Sequence, residues 1–202
     1  VSNSNAGDWD KLLRALGWLK RMKSDIRIIG AQSLTDVYTW IDAAYAVHDN
    51  MHSHMGGGIS MGYGLLTGNS AMEKLNMKSS TEAELVGLAE YLPYNIWLLM
   101  FLKEQGYGIV TNVIFQDNKS AILLEKNGRM SCGPNTKHIN NRYFFIKDRI
   151  DKGEVSVKYC STEAMLADFF TKPLQGGLFH RFRDVIMGWK SISALSEYGL
   201  KF

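Results

Sequence analysis

Cysteine is scarce in this chain: Cys132 and Cys160 are the only two among 202 residues. That excludes a disulfide-stapled scaffold and fits a reducing, intracellular setting. Long apolar runs are missing as well. The longest, Ile96–Leu102, falls far short of the roughly 20 residues that span a bilayer, so no membrane partner is expected. The opening VSNSNAGDWD lacks the charged-then-apolar design of a signal peptide, and the chain reads as a fragment of something longer. No internal repeat or low-complexity tract is present. Charge of one sign is also weak. A net +3 does not by itself identify a nucleic-acid partner.

What is there suits one core with appendages, since 46% of the residues are hydrophobic and 21% charged. Positive charge concentrates between Lys119 and Lys158, where nine lysines and arginines face four acids. This is either a phosphate-facing surface or an ordinary solvated one. Residues 8–23 space Leu12, Leu13, Leu16 and Leu19 at helical intervals. Val37–Val47 is rich in β-branched and aromatic residues and reads as a strand. HDNMHSHMGGG breaks the chain, and Gly58–Thr67 and Ser70–Met77 read as two further strands joined by a hairpin turn at Thr67–Asn69.

Alternation of helix and strand follows. A helix begins at KSSTEAEL, where Ser79 and Glu82 fit a capping box, and Pro93 predicts a break near Leu92. A further helical stretch covers Asn95–Glu104. Strands are expected at Val110–Gln116 and Glu154–Tyr159, and helices at Asn118–Lys126, His138–Lys152, Ser161–Thr171 and Leu178–Met187. Three antiparallel strands followed by alternating elements predict an α/β domain with a mixed sheet and helices on its faces.

Four acids stand where secondary structure alone would not put them. Asp42 lies in mid-strand, a costly place for an unpaired carboxylate. Asp117 ends an apolar strand, Glu84 lies early in a helix among apolar neighbours, and Asp168 sits inside EAMLADFF. Each has a plain structural alternative. Asp117 suits a helix N-cap, Glu84 a helix-dipole partner, and Asp168 the wet side of an amphipathic helix. Taken together, they would repel one another unless a hard divalent cation joined them. Spacing permits that convergence and does not establish it.

The order WIDAAYAV, GGGISMGYG, SSTEAEL, IFQDNKSAI, TKHINNRYFFIKD, ADFFTKPL and FHRFRDVIMG resembles the ribonuclease H domain of a copia-type (Pseudoviridae) LTR retrotransposon polyprotein, over about residues 35–188. The resemblance implies a ribonuclease H-like α/β fold with a five-stranded mixed sheet: three antiparallel strands, then two more, with helices on both faces. It implies three parts: residues 1–34 as the remnant of a reverse transcriptase connection, 35–172 as the ribonuclease H core, and 173–202 as a C-terminal helical tail. It further implies a catalytic and metal-binding set of Asp42, Glu84, Asp117 and Asp168, holding two Mg²⁺ ions for which Mn²⁺ can substitute. Glu82 competes with Glu84 for the helix position.

The implied reaction is endonucleolytic hydrolysis of the RNA strand of an RNA–DNA hybrid during reverse transcription. The expected partners are that hybrid and the reverse transcriptase domain of the same polyprotein, in cytoplasmic virus-like particles. Candidate hybrid contacts are Thr81, Asn118, Ser120, Lys137, His138 and Arg142. A catalytically inactive binding or tethering domain of a decayed element is the alternative; the presence of all four acids argues against it. A DNA-cutting nuclease on the same fold is a third possibility. The chain departs from cellular members of the fold in having no histidine in YCSTEAML.

Other features carry bland expectations. His48, His52 and His54 could bind zinc, but they are read as a turn between strands. Trp97, Leu98, Met100 and Phe101 are expected in the core. Cys160 has no His–Asp partner set to make it a nucleophile. The ending KSISALSEYGLKF matches nothing familiar.

Overall fold

A computed structural model describes residues 4–127 and 137–202; of residues 127 and 137–140 it describes the backbone alone. Helix α1 (Ala6–Arg21) opens with a capping box between Asn5 and Asp8 and buries none of its residues. β1 (Gly30–Ala31) follows, then β2 (Asp36–Ala44), β3 (His54–Ser60), β4 (Gly62–Tyr63) and β5 (Thr67–Met72). Next come α2 (Ser80–Glu104), β6 (Thr111–Gln116), α3 (Lys119–Asn127), α4 (Lys137–Asp151) and β7 (Ser156–Tyr159). Two short helices close the chain, α5 (Asp168–Thr171) and α6 (Gly176–Ile186), with 3₁₀ turns at Thr162–Ala164 and Ile192–Tyr198.

Five strands form one mixed sheet in the order β5-β3-β2-β6-β7. β2, β3 and β5 pair antiparallel, whereas β6 lies parallel to β2 and β7 parallel to β6. This is the topology of the ribonuclease H-like fold expected from the sequence. β1 and β4 make a separate two-stranded ribbon.

The strands of the sheet centre alternate their side chains between two apolar layers, as the two-residue period of a strand requires. Val37 and Ile41 of β2 and Ile114 of β6 join Leu85, Leu88 and Leu92 of α2 and Ile146 of α4 in one layer. Trp40 and Phe115 point the other way, onto Leu166, Phe182, Val185, Ile192 and Leu195. Residues beyond 172 therefore share the second apolar layer. The stretch KSISALSEYGLKF seals it with Ile192, Leu195 and Leu200, and Phe202 sits edge-on to Tyr38 and Phe115.

Several local expectations are corrected. The hairpin turn is not at Thr67–Asn69, because those residues pair with Ile59, Gly58 and Gly57 inside β5. Pro93 does not break α2; its ring lies on the exposed side of the helix, where water can serve the freed carbonyl. The cap of α2 is half a box. Ser79 Oγ accepts from the Glu82 amide at 3.2 Å, but the Glu82 carboxylate accepts from the amide of Lys78 rather than that of Ser79. Ser161–Thr171 is not one helix, since Met165 leaves helical geometry between the 3₁₀ turn and α5.

The expected core stripe is also corrected. Leu98 packs on the core, but Trp97, Met100 and Phe101 are exposed. α2 carries apolar residues around its whole circumference, and the sheet covers only one side, so half of its apolar stretch is buried.

Candidate metal centre

The physical basis of the site is the parallel pairing of β2 with β6. Trp40 lies opposite Phe115 in that register, so both strands end at the same edge of the sheet. Asp42 sits near the end of β2, and Asp117 is the first residue past β6. Sites of open α/β sheets form at such carboxyl ends. α2 starts there too, and its early residue Glu84 is buried against the sheet.

Asp168 is delivered from the other side by α5. Gly56, opposite Asp42 on β3, makes that approach possible. A Cβ at Gly56 would stand 2.7 Å from both Phe170 Cβ and Thr171 Cγ2, too close for real packing. The glycine run GGG is thus partly a docking floor for the helix that carries Asp168.

Carboxylate oxygens of Asp42, Asp117 and Asp168 lie within 4.8 Å of one another. Glu84 lines the same cleft with Ser80, Asn118, Lys119 and Tyr159. One Glu84 oxygen is buried without a hydrogen-bond partner. Burial, with Asp42 and Asp117 nearby, holds the Glu84 carboxyl well above the usual carboxylate range, although the Ala43 backbone amide works the other way. Burial and Asp42 raise Asp117 as well. Asp168 is pushed up to about 6, chiefly by burial and then by Asp42, despite its bond to Lys172. Crowded acids with raised pKa values and an unsatisfied buried oxygen are what a hard cation would relieve.

Two further groups enter the cluster. The Thr171 hydroxyl donates to Asp42. Lys172 Nζ donates to Asp168 Oδ1 at 2.7 Å and stands 3.6 Å from Asp42 Oδ2. Burial works against the Lys172 ammonium, but Asp42 and Asp168 outweigh it and hold its pKa above the ordinary lysine value. Sequence reasoning passed over both residues. The available signal was their position, three and four residues after Asp168 in DFFTK.

The structure separates the two helix glutamates by their surroundings. Glu84 is 4% exposed in the cleft, whereas Glu82 is engaged at the cap. Asn118 lines the cleft, but its Oδ1 accepts from the Ser120 and Ala121 amides and so caps α3. Ser120 is exposed on the first turn of α3, and Thr81 is half-buried on the first turn of α2 beside Ser80. Arg142 lies away from the cleft, paired with Glu90 at 3.1 Å. Lys137 and His138 begin α4, and their side chains, like Cys132, lie outside the described residues.

The histidines do not assemble with acids into a ligand set among the described residues. His48 Nε2 and His54 Nδ1 share a hydrogen bond of 3.0 Å, and His52 Nδ1 bonds the Glu73 carbonyl. His54 also contacts Ser70 Oγ, which donates to the Phe170 carbonyl, so β3 and β5 brace α5. Cys160 is fully buried, and burial pushes its thiol up to about 12. It is a packing residue.

No protein-family model matches the chain. Among curated proteins it is similar to the retrovirus-related Pol polyprotein from transposon TNT 1-94 of Nicotiana tabacum, 29% identical over 187 residues and 92% of this chain. It is similar to that of transposon RE1 of Arabidopsis thaliana, 32% identical over 129 residues and 63% of this chain. The Ty1-JR2 Gag-Pol polyprotein of Saccharomyces cerevisiae is 27% identical over 138 residues, 66% of this chain. The chain spans 14%, 9% and 8% of those relatives' own lengths. Among solved structures, the N-terminal RNase H domain of a Mycobacterium tuberculosis protein overlaps 82% of this chain and 99% of its own, with 11% identity and a TM-score of 0.48. LC11-RNase H1 in complex with RNA/DNA hybrid overlaps 67% of this chain and 93% of its own, with 13% identity and a TM-score of 0.47.

Proposed function

From a ribonuclease H-like chain related to copia-type Pol polyproteins, we infer a metal-dependent endoribonuclease that cuts the RNA strand of RNA–DNA hybrids during reverse transcription. The observation that carries this is the convergence of Asp42, Asp117 and Asp168 at one edge of the sheet, with an unpartnered Glu84 oxygen in the same cleft. All-oxygen donors of this kind suit Mg²⁺ or Mn²⁺ and exclude a zinc-type nitrogen and sulfur set. Two such ions, when bound, would activate a water and neutralise the leaving 3′-oxygen of a phosphodiester.

The protein's own part is positional. β2 and β6 hold Asp42 and Asp117 on rigid neighbouring backbones, and α5 sets Asp168 against them through its contact with Gly56. Glu84 approaches from α2 and completes a four-acid set. The cleft opens between the starts of α2 and α3, where Ser80, Asn118 and Lys119 face solvent beside the acids. Contacts from such groups would follow the sugar–phosphate path of a hybrid rather than its bases. Of the basic residues between Lys119 and Lys158, Lys119 lines the cleft, where its ammonium would attract phosphate. In the polyprotein, the reverse transcriptase domain would share the hold on the same hybrid.

The deciding experiment is cleavage of a labelled RNA–DNA hybrid in Mg²⁺ or Mn²⁺, with single-stranded RNA, duplex RNA and duplex DNA as controls. Hybrid-only cleavage that disappears in Asp117→Asn is expected. A folded protein that binds hybrid but leaves it intact in both metals would replace this reading with that of an inactive binding domain.

A further inference from the structure

The lysine in the cleft has no assigned part in the chemistry above. Its ammonium lies 2.7 Å from Asp168 Oδ1 and 3.6 Å from Asp42 Oδ2. The two acids are 1% and 3% exposed at their side chains, whereas the lysine side chain is 40% exposed. Lys172 thus reaches inward from solvent, on a flexible stem, to oxygens that solvent hardly touches. The nearby Lys119 is engaged elsewhere, with its Nζ 4.7 Å from the centre of the Tyr159 ring.

The backbone aims this side chain. The Lys172 amide donates to the Asp168 carbonyl at 2.9 Å, closing α5. Its backbone then turns extended, at φ −129° and ψ 143°, as a residue before proline prefers, and Pro173 follows. The ammonium is therefore tethered four residues from an acid it neutralises, within the same helical turn.

We propose that Lys172 is the resident cation of the carboxylate cluster, one that holds Asp168 and Asp42 together without metal and has to release Asp168 for a metal ion to bind. This rests on the metal reading above. A carboxylate oxygen that a metal ligates at about 2.0–2.1 Å cannot keep an ammonium hydrogen bond along the same lone pair. One ammonium offsets one carboxylate, so the remaining acids still attract divalent ions. Lys172 therefore lowers metal affinity while it preserves the geometry that metal binding uses. It is a positioning residue, and loss of its charge moves two observables in opposite directions.

The test uses the 202-residue chain as wild type, Lys172→Met, Lys172→Gln and Lys172→Arg, with Mn²⁺ as the probe. Free Mn²⁺ is followed by electron paramagnetic resonance, and thermal unfolding is measured in EDTA and in saturating Mn²⁺. Lys172→Met and Lys172→Gln should bind Mn²⁺ about three- to tenfold more tightly, because the competing cation is gone. Both should melt lower than wild type in EDTA and regain most of the loss in Mn²⁺. Lys172→Arg should stay near wild type in both readouts. If Lys172→Met is unfolded in EDTA, Mn²⁺ should refold it. A merely structural lysine would weaken Mn²⁺ binding when removed, so equal or weaker binding in Lys172→Met and Lys172→Gln overturns the proposal while leaving the metal reading intact. Absence of Mn²⁺ binding in wild type and all variants overturns both.

Discussion

Two buried polar clusters are built from the same three elements, and they behave oppositely. At one end of the sheet, Thr39 of β2, Asn112 of β6 and Asn95 of α2 meet. Asn95 Nδ2 donates to Thr39 Oγ1 and to Asn112 Oδ1, both at 2.9 Å, and Asn112 Nδ2 donates to Asn95 Oδ1 at 2.9 Å and to the Glu154 carbonyl at 2.8 Å. Both asparagine side chains have partners for donor and acceptor alike, and every member is neutral. At the other end, Asp42 of β2, Asp117 past β6 and Glu84 of α2 meet with Asp168. Those groups share one sign, and a Glu84 oxygen has no partner. The first cluster ties helix to sheet. The second crowds like charges that Lys172, bonded to Asp168 and near Asp42, offsets only in part.

This contrast can be broken by substitution. The largest effect is expected at the acidic end. Asp42→Asn should lower hybrid cleavage at least about 100-fold, as loss of a principal electrostatic element does. Its metal-free melting temperature should stay level or rise, because a repelling charge is removed. A fall in both activity and stability would mean that the acids also serve the fold.

Asn95→Ala should do the reverse. It leaves buried groups on Thr39 and Asn112 without a partner and should cost about 2–3 kcal/mol in denaturant unfolding. Catalysis by the fraction that remains folded should be unchanged.

Gly56→Ala comes next. The added methyl meets Phe170 and Thr171 and would shift α5 away from Asp42. Mn²⁺ affinity should fall about tenfold, with about 1–2 kcal/mol lost in stability, since overpacking forces the neighbour to move.

The smallest effect concerns Glu125. It is fully buried, with the Gln116 side-chain amide as its hydrogen-bonding neighbour. Burial pushes its carboxyl from 4.5 up to about 8. The folded state then binds a proton that the unfolded state has already lost, so stability falls as pH rises from 4.5 through about 8. Glu125→Gln should flatten that part of the stability–pH curve. An unchanged slope in thermal melts between pH 5 and 8.5 would show that other groups set it.

The strand that bears Asp42 shows how far sequence reaches. β-branched and aromatic residues define β2, and an acid among them is an anomaly on any physical scale, so its special status was readable before any geometry. Asp117 and Glu84 were readable by the same logic, more weakly, because a helix cap or an exposed helix face explains either one alone. Thr171 and Lys172 were not readable this way. A threonine and a lysine after a short helix are ordinary, and only the packing of α5 on Gly56 turns them inward. The exposed Trp97, Met100 and Phe101 failed in the opposite direction. Apolar spacing on a helix tells that a face is apolar and not that anything covers it.

The sequence by itself determined most element types, an α/β class with a mixed sheet and the candidate acids, because these depend on local period and on residue chemistry; the ribonuclease H-like class was legible only as a resemblance. Tertiary structure decided the rest. The parallel register of β2 and β6 brings Asp42 beside Asp117, residues far apart along the chain. A glycine floor admits α5, and the closing 3₁₀ turn at Ile192–Tyr198 packs Ile192 and Leu195 into the second apolar layer. The physical reason is range. Propensity and period act over a few residues, whereas burial, like-charge crowding and the exclusion of a Cβ act only between groups that folding has already brought into contact.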